Sequence, residues 1–250
     1  MQTALITGCS SGYGLETARY FHARGWKVIA TMRTLRNDLF PASERLCILN
    51  LDVTAPQSIA RALELSGPID VLVNNAGIGL YGAVEATPMA TVREVFETNT
   101  FGVIAMCQAV IPQLRERGGG TIINVTSSAT LAPMPLVAAY AASKTAIEGF
   151  TSSLAHELNG FGIRVKLIEP GYGPGTRFTA NGQQRMQGLI PSAYEAFAHR
   201  VFASFIRTRD VTKASDVAET IWRAANDKSD QLHYPAGPLP STRAAVEHSL

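Results

Sequence analysis

The stretch Thr3-Ala4-Leu5-Ile6-Thr7-Gly8-Cys9-Ser10-Ser11-Gly12-Tyr13-Gly14 decides the fold. Ala4 to Thr7 are apolar or β-branched and stop at a glycine, which reads as a short buried strand. Glycines then follow as G-x-x-x-G-x-G and open an amphipathic segment. Glycine permits a tight turn, lets the backbone come close to a pyrophosphate, and leaves free N–H groups and the positive end of a helix aimed at it. Gly8, Gly12 and Gly14 are therefore candidate phosphate-cradling residues, with Ser11 and Tyr13 inside the same turn.

The same strand-then-helix rhythm continues outward. Residues 27–32, 47–51, 71–74, 121–125 and 164–169 are further short, branched apolar runs bounded by Gly, Asn, Asp or Pro. Strands apolar on both faces and separated by helices predict a parallel sheet covered on both sides, an α/β doubly wound arrangement forming a single domain over residues 1–250. Ile104, Cys107, Ile111 and Leu114 step along one helix, which Gly118-Gly119-Gly120 ends. Ile147, Phe150, Leu154, Leu158 and Phe161 step along another, as core or as half of a subunit interface. After Pro170 the pattern loosens into Gly171-Tyr172-Gly173-Pro174-Gly175. Phe178, Met186, Leu189, Ile190, Tyr194, Phe197, Phe202 and Phe205 follow, read as one or two helices forming a substrate lid at about 172–212, or as ordinary core. A last helix is expected to begin near Asp216, with Glu219 three residues on.

Composition narrows the partners. Apolar residues make up 46% and charged residues 17% of the 250, which excludes a disordered or collagen-like chain. Twenty-two basic against twenty acidic residues leave a net +2 and no footprint for nucleic acid; the densest basic stretch, Arg207-Thr208-Arg209, is next to Asp210. Cys9, Cys47 and Cys107 are odd in number and far apart, so no disulfide framework is expected and a reducing cytoplasm is the simplest setting. His156-Glu157 begins like a zinc helix, but Gly160 stands where the second histidine is needed, so no metal site is expected. No signal-peptide pattern opens the chain, and no run approaches the roughly 20 apolar residues of a membrane span.

Three further positions carry chemistry. The second strand ends Ala30-Thr31-Met32-Arg33, with Arg36 close behind, where an NAD(H) site usually places an acid. A guanidinium there pairs with a phosphate, so NADP(H) is expected over NAD(H); the other reading of Arg33 is a solvated strand end. Tyr140 and Lys144 are four apart on a predicted helix, which puts them on one face about 6 Å apart along the axis. An ammonium beside a phenol is expected to lower its pKa and fit it to exchange a proton with a carbonyl or alcohol oxygen. Ser127 follows the strand at 121–125, at the carboxyl end where ligands bind in open sheets, and its hydroxyl could orient the reacting oxygen. Thr126 and Ser128 compete for that role.

Taken together, Thr7-Gly8-x-x-x-Gly12-x-Gly14, Asn74-Asn75-Ala76-Gly77, Asn99, Ser127, Tyr140-x-x-x-Lys144 and Pro170-Gly171 resemble the short-chain dehydrogenase/reductase superfamily. Thr7 to Gly12 and the later Tyr234-Pro235-Ala236-Gly237 resemble its 17β-hydroxysteroid/retinol dehydrogenase-like branch. The resemblance implies a Rossmann-type domain and an oxidoreductase that transfers a hydride between NADP(H) and a carbonyl or secondary alcohol. It implies Tyr140 as acid/base, Lys144 on the nicotinamide ribose, Ser127 on the carbonyl oxygen, and Asn99 in a proton relay through Lys144. Asp52 and Val53 would contact adenine, and Asn74, Asn75, Ala76 and Gly77 would form the cofactor wall. Pro170, Gly171 and Thr176 would flank the nicotinamide. A homodimer or homotetramer through the helices near 101–117 and 140–161 is also implied, and the aromatic lid suggests an apolar ketone as substrate. Three positions depart from the family pattern: Tyr13 for the commoner Ile or Leu, Thr130 for the glycine usual after Ala129, and the additional glycine in 171–176. A non-catalytic cofactor-binding regulator has little reason to keep Ser127, Tyr140, Lys144 and Asn99 together. A lyase that has given up its cofactor should show a degraded glycine turn.

Overall fold

A computed structural model describes residues 1–132, 134–176, 178–207 and 211–238. Its strands are β1 (Thr3–Ile6), β2 (Lys27–Met32), β3 (Leu46–Asn50), β4 (Val71–Asn74), β5 (Gly120–Val125), β6 (Ile163–Pro170) and β7 (His233–Ala236). All pair in parallel in the order β3-β2-β1-β4-β5-β6-β7. The order reverses between β1 and β4, and in open α/β sheets the ligand crevice lies at such a point, at the carboxyl ends of the strands.

Period-two alternation builds a core on each face. Ala4 and Ile6 of β1, Val28, Ala30 and Met32 of β2, and Ile123 and Val125 of β5 face one side. There they meet α1 (Gly12–Ala23) and α8 (Ala214–Asn226). Phe21, Trp26 and Trp222 pack edge-on in this core, with ring centroids 5.0–5.4 Å apart. Leu5, Ile29, Leu72 and Ile122 face the other side, under α2 (Pro56–Ser66), α4 (Gly102–Glu116) and α5 (Ala138–Leu158). The remaining helices are α3 (Met89–Phe96), α6 (Phe178–Met186) and α7 (Ser192–Arg207), and α3 packs on α5. The doubly wound Rossmann-type sheet expected from the sequence is the one observed.

The differences are instructive. β7 escapes the periodicity reading because it is a four-residue edge strand that alternates exposed and buried and contains Pro235, which an edge tolerates. α8 starts at Ala214, not at Asp216. Asp216 is the third helical residue, and its carboxylate accepts the Lys213 backbone N–H at 2.9 Å. On α4 the buried face is Val103, Met106, Cys107, Val110 and Leu114, so Ile104 and Ile111 lie only on its margin. Phe161 lies past the end of α5 and is 47% exposed. Thr208 to Asp210 of the basic stretch, and the Phe178 and Phe205 side chains, lie outside the described residues.

Candidate active site

The floor of the crevice is built from two turns latched together. Gly8 has φ +74°, and a Cβ on it would stand 2.8 Å from the Ala76 Cα, so only glycine lets the turn after β1 lie against the turn after β4. The Thr7 hydroxyl accepts the backbone N–H of Asn75 (3.0 Å) and Ala76 (2.9 Å), and the Asn75 side-chain amide donates to the Thr7 carbonyl at 2.9 Å. Asn75 is therefore a latch. Asn74 turns into the core and donates to Asn124 at 2.9 Å. Ser11 is the extended N-cap of α1 and its side chain makes no capping bond, which leaves the first-turn amides around Gly12, Tyr13 and Gly14 without a side-chain acceptor.

Behind the latch, the chain runs from α3 into α4 through a π-helical segment, Glu97–Phe101. Such insertions change which residues face a site, and this one carries Asn99, which is fully buried. Asn99 accepts the Ile78 N–H at 2.8 Å and donates to the Ile78 carbonyl (2.9 Å) and the Ser143 hydroxyl (3.1 Å). It thus ties the turn after β4 to α5. A Cβ on Gly77 would lie 3.3 Å from Asn99 Oδ1 and 3.4 Å from Lys144 Nζ, so both groups converge on that glycine.

α5 presents Tyr140 and Lys144 to the crevice. The Lys144 ammonium is buried and donates to the Val125 carbonyl at 2.9 Å. Burial alone brings its pKa down to about 8. Of Thr126, Ser127 and Ser128 at the end of β5, Ser127 shares a hydrogen bond with Tyr140. Thr126 instead donates to the Ile168 carbonyl at 3.2 Å, and Ser128 is buried. One expectation is corrected. Burial pushes the Tyr140 phenol above the ordinary phenol range, the Ser127 hydrogen bond offsets only part of this, and Tyr81 and Tyr13 add to the rise. Within the polypeptide, desolvation outweighs any help from the ammonium.

At the end of β2, Arg33 is exposed and forms no salt bridge among the described residues, although its charge reaches Glu94. Arg36 is engaged by Asp38 through two bonds of 2.8 and 2.7 Å. Asp52 accepts the Thr54 amide and hydroxyl in a turn after β3, while Val53 is buried in the core.

The roof comes from residues after β6. Pro170 ends that strand, Gly171 donates to the Ala236 carbonyl at 3.1 Å, and Thr212 donates to the Tyr172 carbonyl at 2.7 Å. A Cβ on Gly173 would overlap the Tyr13 hydroxyl and stand 3.0 Å from its ring. Two departures from the family pattern therefore explain each other: the larger Tyr13 needs the additional glycine. Thr176 stands over the cradle, its Cβ 3.4 Å from where a Cβ on Gly12 would be. Arg185 of α6 is paired with Glu94 of α3, Leu189 packs on Gly82, and the Tyr81 and Phe202 rings meet at 6.3 Å. Tyr81 and Tyr172 join Tyr13 and Tyr140 around the cleft; they belong to no local motif, and only the fold gathers them.

These residues fit a nicotinamide dinucleotide. The turn at Gly8 leaves no space for a side chain, α1 has an uncapped positive end, and Asn99 and Lys144 converge at Gly77. Among the described residues there is no group of three or more His, Cys, Asp or Glu able to hold a metal ion, and no helix long and apolar enough to cross a membrane.

Comparison with known proteins agrees with this geometry. The short chain dehydrogenase family profile matches residues 2–187. The chain is 38% identical over 248 residues to an uncharacterized oxidoreductase of Bacillus subtilis, spanning 94% of this chain and 88% of that protein. It is 40% identical over 181 residues to human retinol dehydrogenase 8, spanning 68% of this chain and 58% of that protein. The closed form of a serine dehydrogenase complexed with NADP+ superposes with a TM-score of 0.80 at 29% identity, covering 96% of each chain. Other similar solved structures carry NADPH or NADH.

Proposed function

The chain belongs to the short-chain dehydrogenase family of oxidoreductases, and we propose that it is an NADP(H)-dependent carbonyl reductase/alcohol dehydrogenase acting on apolar ketones or the matching secondary alcohols. The observation that carries this reading is the hydrogen-bonded pair of Tyr140 and Ser127 at the mouth of β5, with Lys144 one helical turn behind. Both hydroxyls donate to the substrate carbonyl oxygen. Tyr140, its phenol kept in the neutral form by burial, gives its proton to that oxygen as the alcohol forms. Lys144, with a pKa of about 8, restores the proton to Tyr140, and Asn99 holds the wall beside it. The nicotinamide, when bound, supplies the hydride.

Gly8, Ser11, Gly12, Tyr13 and Gly14 hold the pyrophosphate, with Thr176 above them. Asp52 and Val53 border the adenine, Asn75, Ala76 and Gly77 the wall, and Pro170 and Gly171 the nicotinamide. Arg33 binds the 2′-phosphate; its exposure at the end of β2 and the NADP+ of the serine dehydrogenase relative support this. The described residues between 172 and 212 form the substrate lid of one domain, and the apolar groups Tyr81, Leu136, Leu189 and Phe202 favour an apolar ketone. Copies pair through α4 and α5, beside the exposed Phe101 and Phe161, in a reducing cytoplasm that suits the free Cys9, Cys47 and Cys107.

The test is coenzyme consumption across a panel of hydrophobic ketones, with NADPH and NADH, for wild type and Arg33→Asp. The wild type is expected to prefer NADPH, and the variant to lose about 10- to 100-fold of that preference, the worth of one charge-assisted phosphate contact. Unchanged selectivity removes Arg33 from the site.

A further inference from the structure

Beyond Lys144, the same face of α5 continues one turn further to Glu148, so Tyr140, Lys144 and Glu148 form a single i, i+4, i+8 row. Glu148 touches no part of the crevice machinery named above. Its half-buried carboxyl instead meets the hydroxyls of Thr130 and Thr126, the residues that bracket the Ser127 loop. Each hydroxyl already has a backbone carbonyl to serve: Thr130 donates to the Ser127 carbonyl at 2.6 Å, and Thr126 to that of Ile168 at 3.2 Å.

A hydroxyl has one proton to give. Against an ionised carboxylate, which only accepts, Thr130 can satisfy Glu148 or Ser127 but not both, and Thr126 faces the same choice. Against a protonated acid the conflict at Thr130 disappears. Glu148 donates to the Thr130 oxygen, and the Thr130 proton stays on the Ser127 carbonyl.

We propose that Glu148 is a positioning residue for Ser127, acting in its protonated form through Thr130 to fix the loop that carries the Ser127 hydroxyl. The inference rests on the reading of Ser127 as the group that binds the substrate oxygen. It also gives Thr130 a role: the residue that replaces the family's usual glycine supplies the hydroxyl that joins acid to loop.

The surroundings are consistent with a neutral acid. Glu169 of β6 is 1% exposed and is paired with His233 Nδ1 of β7 at 2.8 Å, so the negative charge of this corner has a partner there. Burial and the Glu169 charge push the Glu148 carboxyl above the usual range, while the threonine hydroxyls and His233 pull against that rise. When Glu148 ionises, Thr130 turns toward it, and the Ser127 carbonyl keeps only the Thr130 amide, at 3.1 Å.

The first readout needs no turnover: the infrared difference spectrum of wild type minus Glu148→Gln, taken at about pH 6, where an exposed glutamate is ionised. The expected result is the carbonyl band of a protonated carboxylic acid. The second is kcat with NADPH and a reducible ketone from about pH 5 to about pH 9. Wild-type kcat, divided by that of Glu148→Gln, is expected to fall as the acid band is lost, because glutamine still donates and does not titrate. Glu148→Ala should lower kcat about tenfold with the KM for NADPH unchanged. An absent acid band, or a flat wild-type to Glu148→Gln ratio across the range, overturns the proposal. The band remains readable if no ketone is reduced, so failure of the proposed activity and failure of this inference are separable.

Discussion

The floor and the roof of the crevice are held by different forces. The floor, at Thr7–Gly8, Asn75–Ile78, Asn99 and Lys144, is a lattice of hydrogen bonds between buried polar groups and backbone, at 2.8–3.1 Å and anchored on strand ends. The roof, over the described residues between Tyr172 and Thr212, adds to a few backbone hydrogen bonds the contact of the Tyr81 and Phe202 rings, one half-exposed ion pair and the fit of Tyr13 against Gly173. Directional bonds allow few residue types at each position, whereas apolar packing accepts any set of side chains that fills the space. On the proposed function, the floor would carry the chemistry common to all substrates and the roof would choose among them.

The strongest way to break this contrast is Tyr140→Phe. Removing one hydroxyl from the floor should cut kcat by about 100- to 10,000-fold, the usual worth of a positioned acid, and leave the Kd for NADPH, read by fluorescence titration, nearly unchanged. Retained turnover would remove Tyr140 from its role.

Lys144→Met examines the cost of burying a charge in that floor. Burial brings the pKa of the native ammonium down to about 8, from the 10.5 of an ordinary lysine. Between those pH values the unfolded chain binds more protons than the folded one, so wild-type stability rises with pH through that window and is lower below it. Relative to Lys144→Met, denaturant-measured stability of wild type should climb by about 2–3 kcal/mol from about pH 8 to about pH 10.5. Parallel curves would show that the ammonium is not desolvated.

Roof variants should act more gently. Gly173→Ala forces the Tyr13 ring to move and should raise the substrate KM by up to about tenfold, the cost of modest overpacking. Tyr13→Leu in the same chain should recover most of the loss, giving a coupling of about 1 kcal/mol in a double-mutant cycle. Purely additive effects would show that the two positions do not share space. The smallest effect is expected from Arg185→Ala, because an ion pair whose Glu94 side is 50% exposed is worth about 0–1 kcal/mol. A change in substrate KM below about fivefold, with kcat unchanged, is the expected outcome.

The same contrast governs what could be read before the structure. Gly8, Ser127, Tyr140 and Lys144 are legible as positions because a turn of positive φ needs glycine, a strand end places Ser127, and a spacing of four puts Tyr140 and Lys144 on one face of α5. The first six strands are legible because short, mostly apolar and branched runs between Gly, Asn, Asp or Pro mark them, even though β6 carries Arg164, Lys166 and Glu169 and β3 is only half-buried. β7 is not, since a short edge strand needs only Tyr234 and Ala236 inside. Tyr81 and Phe202 come together through folding, 121 positions apart by their numbers, with no spacing rule to join them. The π-turn that sets Asn99 has no composition signature. The upward shift of the Tyr140 phenol depends on how much protein surrounds it, which a four-residue spacing to Lys144 cannot convey.

The most direct examination of the central claim follows the hydrogen itself. Purified protein is supplied with NADPH carrying deuterium on the transferring face of the nicotinamide and with a hydrophobic ketone, and the alcohol is analysed by mass spectrometry. The account predicts one deuterium on the carbinol carbon for each NADPH consumed, and loss of that product in Tyr140→Phe. Alcohol formed without the label, or labelled product made equally well by the phenylalanine variant, would contradict it.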